Sequence, residues 1–108
     1  MSVAVAPVPR FEGAQSPASV LARAAQPVAC FSVVCAADDP GLLPRILEPF
    51  AKLSLVPLAI HATRWSDTEL HVDLQFAGLD AVRISHLAEV IRAMFGVEAV
   101  LTSEKHLA

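Results

Sequence analysis

The chain has 108 residues, of which 55% are hydrophobic and 18% charged, and its formal net charge is -3. That apolar content lets one small α+β domain bury a core without disulfides or metal, and strand-sized apolar runs such as Leu53 to Ile60 fall well short of the roughly 20 residues of a membrane helix. The eight Lys and Arg residues are scattered, so no basic face for a phosphate backbone is visible and a nucleic-acid partner is excluded, as is a membrane.

Residues 1–26 are rich in Ala, Pro, Val and Ser without the basic start and continuous apolar stretch of a secretory signal, and they read as an N-terminal tail or linker. Within it, Ser19 to Ala25 has the composition for about two turns of helix, a length that is marginal in water unless a surface packs on it.

The first strand is expected over Val28 to Ala36, with β-branched and small apolar residues on both faces as in a central strand. Cys30 and Cys35 lie in it on opposite faces and cannot bond to each other, so they read as buried hydrophobes of a reducing cytoplasm.

A helix follows at once. Asp39 offers an N-cap, Pro40 suits the first helical position, and Leu43, Ile46, Leu47, Phe50 and Leu53 recur at helical spacing. Pro44 is tolerable near the start. Pro49 removes the bond to the Arg45 carbonyl at a cost of about 3 kcal/mol, which predicts a kink or change of direction there.

Leu55 to Trp65 and Glu69 to Ala77 read as a hairpin. In the latter, Leu70, Val72, Leu74 and Phe76 point inward and Glu69, His71, Asp73 and Gln75 outward. For Val56, Leu58, Ile60 and Ala62 to share the inner face, paired residues need an even sum. A three-residue loop, Ser66-Asp67-Thr68, meets this by setting Trp65 opposite Glu69, Thr63 opposite His71 and His61 opposite Asp73.

Asp80 caps a second helix whose buried stripe is Ile84, Leu87, Ala88, Ile91, Met94 and Phe95, with Gly96 as its left-handed stop. Val97 to Thr102 is the last strand. The order predicts a ferredoxin-like βαββαβ sandwich, an α+β fold with a four-stranded antiparallel sheet and both helices on one face.

That fold hosts many functions, so the site must decide. An RNA-recognition domain would present base-stacking aromatics on the first strand, where this chain has Cys30, Ser32 and Val34, and a metal chaperone would need a Cys-x-x-Cys loop. His61, His71 and Asp73 fall together on the wet face, where a solvated cross-strand pair is the bland reading and a metal or proton-handling site the sharper one. Trp65, beside Arg64 at the hairpin end, reads as an oligomer contact or core-edge cover. With no nucleophile beside a base and no phosphate-binding glycine loop, no catalytic residue, metal or cofactor is expected.

The run Asp38-Asp39-Pro40-Gly41-Leu42-Leu43-Pro44-Arg45-Ile46-Leu47-Glu48-Pro49-Phe50, followed by a strand from Leu55, resembles the loop-helix signature of the ACT domain family. Within it, the chain is most similar to free-standing regulatory small subunits of acetolactate synthase. The resemblance implies an ACT-like domain over residues 27–104 with a C-terminal tail at 105–108. It implies a cytoplasmic, non-catalytic regulator that forms a homodimer, binds an amino acid or similar metabolite and modulates a separate biosynthetic enzyme. The implied ligand site combines Asp38, Asp39, Pro40, Gly41 and Leu42 of one subunit with Leu55, Val56 and Pro57 of its neighbour. Many amino-acid-binding members carry Asn in the loop and at the start of the second strand, where this chain has Asp38 and Val56. Val56 offers no side-chain hydrogen bond, which leaves as the alternative an interaction module of the same fold that has lost its ligand.

Overall fold

The computed structural model describes residues 27–106. They form β1 (Pro27–Ala36), α1 (Leu42–Lys52), β2 (Ala59–Arg64), β3 (Glu69–Ala77), α2 (Ala81–Arg92) and β4 (Val97–His106). The strands make one sheet in the order β2-β3-β1-β4, and every neighbouring pair is antiparallel. This is the expected ferredoxin-like sandwich. The tail expected at 1–26, with its short helix, lies outside the described residues. Of the tail expected at 105–108, Lys105 and His106 belong to β4, and the last two residues also lie outside.

The alternation of β1 and β3 explains the layering. Ala29, Phe31, Val33 and Cys35 face the same way as Val72, Leu74 and Phe76, and the two helices close over them with Leu42, Ile46 and Phe50 from α1 and Leu87, Ala88 and Ile91 from α2. At the centre, the Phe50 and Phe76 rings stack with centroids 4.2 Å apart, and Phe31 meets Phe50 edge-on at 5.1 Å. Asp80 caps α2 as expected, its carboxylate accepting from the Arg83 amide at 2.8 Å. The hairpin register is also the expected one, with His61 opposite Asp73, Thr63 opposite His71 and the Trp65 amide donating to the Glu69 carbonyl at 2.9 Å.

Six expectations about these elements are corrected. The helix begins after Gly41 rather than after Asp39, because the Asp39 carboxylate serves the preceding turn. It runs through Pro49 to Lys52, since Leu42, Ile46 and Phe50 on its buried face hold the segments on both sides of the proline to one core. The chain reverses at Ser54 instead, a non-glycine residue at φ 60, where the Phe50 carbonyl accepts from both Leu53 and Leu55. Strand β2 starts only at Ala59, as Pro57 has no amide to donate, although the Leu58 amide already reaches the Gln75 carbonyl at 2.7 Å. Val56, Leu58, Ile60 and Ala62 are exposed rather than buried, because the edge strand runs beyond the cover of the helices.

The other two concern the last connection. Phe95, expected in the buried stripe, is 94% exposed, because α2 ends at Arg92 and Phe95 sits in the turn that follows. Strand β4 runs on past Thr102 to His106, paired along its length with β1. Among the described residues no helix is long and apolar enough to cross a membrane.

Gly96 stands in that turn at φ 97, where the Ala36 amide donates to its carbonyl at 2.8 Å and a Cβ would lie 3.0 Å from Leu42 Cδ2. Gly96→Ala should therefore cost about 1–3 kcal/mol in urea denaturation. Ser54→Gly relieves a left-handed L-residue and should gain up to about 1 kcal/mol in the same assay.

Candidate functional site

The loop between β1 and α1 is organised by Asp39. One carboxylate oxygen accepts from the Gly41 amide at 2.9 Å and the other from Arg45 Nη2 at 2.6 Å. The Leu42 amide donates to the Asp39 carbonyl at 3.1 Å, closing a turn at Asp39-Pro40-Gly41-Leu42. Arg45 hydrogen bonding, followed by the Gly41 amide, holds the Asp39 carboxyl below its ordinary range.

These bonds decide what the loop offers to a ligand. Gly41 and Leu42 have committed their amides, Pro44 has none, and within this first turn of α1 the Leu43 amide is left as a donor. Asp38 is exposed, while the Leu42 side chain is sealed in the core. Gly41 has an ordinary backbone at φ -87, and a Cβ there would meet the end of the Arg45 side chain at 3.2 Å. Its absent side chain leaves space rather than permitting an unusual turn.

Leu55, Val56 and Pro57 lie at the other end of the sheet. Leu55 packs partly on the core and bonds to Phe50, whereas Val56 is 83% exposed. The Leu58 amide meets Gln75, which pairs with Cys30, while the loop leaves β1 after Ala36. The six strand steps between Cys30 and Ala36 separate the two groups by roughly 20 Å. One chain therefore does not bring the eight expected site residues together. Around Val56, the exposed Leu53, Leu58 and Ile60 continue an apolar band toward the free edge of β2.

The wet face holds a different arrangement from the one its histidines evoke. The Trp65 and His71 rings stack with centroids 4.9 Å apart, and His71 Nε2 lies 3.3 Å from Glu69 Oε1. Asp73 instead accepts from the Ser32 hydroxyl at 2.9 Å. His61 stands opposite Asp73 in the ladder, but no group of three metal-ligating side chains forms among the described residues. Both cysteines are free thiols, and burial, reinforced by the Glu98 charge, pushes the Cys35 thiol up and away from nucleophilic thiolate chemistry.

The Arg45 partner of Asp39 and the left-handed Ser54 were not read from the sequence. Neither follows a fixed local spacing; an arginine one turn into the helix was the available hint for the first.

Comparison with known proteins places this geometry. The sequence model of the ACT-like domain family matches residues 22–107. No curated protein matches the chain significantly. Among solved structures, the ACT domain of a Chlorobium tepidum GTP pyrophosphokinase is 18% identical, with 70% of this chain and 96% of that one aligned at a TM-score of 0.60. The C-terminal domain of the MgtC protein from Mycobacterium tuberculosis is 13% identical, over 76% and 90% of the two chains, at 0.63. The regulatory subunit of aspartate kinase from Thermus thermophilus is 14% identical, over 70% and 50%, at 0.58. At these identities the likeness is one of fold.

The Asp39–Arg45 pair carries a pH signature. A carboxyl depressed in the folded state adds stability above its unfolded pKa, and that contribution is lost as pH falls through the folded value. NMR titration should place Asp39 below the ordinary carboxylate range, and Arg45→Ala should move it back up.

Proposed function

The chain belongs to the ACT-like domain family, and from that premise we propose that it is a non-catalytic, cytoplasmic regulatory module that binds an amino acid or similar small metabolite at a homodimer interface. It modulates a separate biosynthetic enzyme, of the kind that acetolactate synthase represents.

The observation that carries this reading is the separation of Asp38–Leu42 from Leu55–Pro57 at opposite ends of one sheet. Two copies paired antiparallel through β2 overcome it. In β2 the odd-numbered residues bond to β3, as the Trp65 amide does to Glu69, so Ile60, Ala62 and Arg64 turn their backbone groups to the open edge. A two-fold axis at that edge lays the start of one β2 beside the end of the other. The loop of one copy then faces Leu55, Val56 and Pro57 of the second, and the exposed band at Val56, Leu58 and Ile60 is covered.

In that site Asp38 would hold the ligand ammonium and the Leu43 amide its carboxylate, while Gly41 and Pro40 shape the wall. Asp39 acts through Arg45 and Gly41 as a positioning residue, and Leu42 contributes backbone alone. Val56 supplies an apolar surface and no hydrogen bond, which favours a ligand with a hydrophobic side chain.

The second reading, an interaction module of the same fold without a ligand, is favoured by the same residue. A valine 83% exposed at a sheet edge suits a protein contact as well as a pocket wall.

Thermal shift with each of the twenty amino acids separates the readings. A ligand at 100 times its Kd should add about 2.7 kcal/mol of stability, and a response to none of them sinks the sensor reading. Gly41→Val, which the backbone accommodates, should keep the fold and dimer while losing that shift. In size exclusion with light scattering, Ile60→Asp should turn the dimer into monomer; an unchanged dimer would rule out pairing through β2.

A further inference from the structure

Among the described residues the sheet has a second open edge, and it is the longer one. Strand β4 runs ten residues without a proline, and Leu101 on its open face is 71% exposed. The direction of its backbone groups follows from β1. The Ala36 amide donates to Gly96 and the Ala37 amide to Thr68, so even-numbered residues of β1 address β4 and odd ones address β3. Val34 pairs with Ala99, Ser32 with Leu101 and Cys30 with Ser103. The odd residues of β4 from Ala99 onward therefore bond inward, and Val100, Thr102, Glu104 and His106 turn their N–H and C=O groups to the open edge.

One of these outward groups is occupied. Arg92, at the end of α2, reaches the edge and donates from Nη2 to the Val100 carbonyl at 2.9 Å, while its Nη1 is held by Glu89 at 2.9 Å. Below that contact the edge is bordered by a groove of about 330 Å³ between Ala81, Ile84 and Ser85 of α2 and Thr102, Ser103 and Glu104 of β4. The guanidinium thus caps the ladder at its middle and leaves the lower half accessible.

The geometry points to the β4 edge as a strand-pairing surface for a second copy of this chain, held closed by Arg92. The partner is argued from register. Side chains keep to matching faces only if paired residues have an even sum. A two-fold axis at Leu101 sets Glu98 against Glu104, a like-charge pair that destabilises. Shifted to Thr102, the axis sets Glu98 across from His106 and Leu101 beside Ser103, with Val100, Thr102 and Glu104 bonding through their outward groups. That register needs the Val100 carbonyl, which Arg92 occupies. The lock matters because a chain that pairs through both edges grows without closure, whereas one restricted to β2 stops at two copies.

Light scattering on the full-length chain across a concentration series tests this. Arg92→Ala should show a mass that exceeds the wild-type mass and rises with concentration. Adding Thr102→Pro, which removes an outward amide and no internal bond, should restore the wild-type mass. An Arg92→Ala protein of native circular dichroism and unchanged mass overturns the proposal, as does an excess mass that survives Thr102→Pro. If the alanine variant fails to fold, Arg92→Lys keeps the helix-end cation without the guanidinium fork and should raise the mass with concentration in the same way; unchanged mass there overturns the proposal too. Slow amide exchange at Thr102 and Glu104 in a species of unchanged mass would show the edge covered by the chain's own remaining segment, and would overturn it equally.

Discussion

The three-ring contact of Phe31, Phe50 and Phe76 ties the molecule together. It joins the central strand, the first helix and the neighbouring strand at one point, and each ring is 1% exposed or less. Burying an aromatic side chain contributes about 1.5–3 kcal/mol, with about 0.5–1.5 kcal/mol more for well-placed ring pairs. Phe50 is also the residue whose carbonyl receives the two amides that end α1. The packing that anchors the helix thus sets where the chain turns away toward β2. It thereby determines how far the exposed Val56 stands from the loop at the helix's other end.

That coupling explains why the functional surface is split. A helix held rigidly across the sheet has its N-terminus at one rim and its exit at the other, so loop and exit segment stand apart by most of the length of β1. Flexing the loop does not remove the gap, because Leu42 is fully buried and Gly96 presses against it. Symmetry does, since an antiparallel neighbour inverts the two rims. The same rigidity makes Asp39 a fixture of the turn and leaves Asp38 as the carboxylate outside it.

Most of the architecture was legible because the relevant signals are local and periodic. The clean alternation from Glu69 to Phe76, the Asp80 cap and the parity of the hairpin each act within a few residues, and each stands as read. What was not legible depended on extent rather than type. Ile60 and Ala62 point to the expected face, yet the strand lies beyond the reach of the helices, and no pattern within the strand encodes how far a neighbouring layer extends. Phe95 matched the helical stripe, but the helix ended three residues before it. Asp39 carried a cap signature and was diverted by Arg45, a partner from the next turn. For the site, residue types were readable and their separation was not, since it is a property of the sheet's length.

The single tryptophan of the chain lies on the exposed hairpin, stacked on His71, and the chain has no tyrosine. Its intrinsic fluorescence therefore reports on the rim beside the loop rather than on the core. With Trp65 68% exposed, the native emission should be that of a largely solvated indole. Global unfolding followed by this signal registers the loss of one stacked pair and little of the core's collapse. Events at the Trp65 rim, in contrast, are read directly and without an added label.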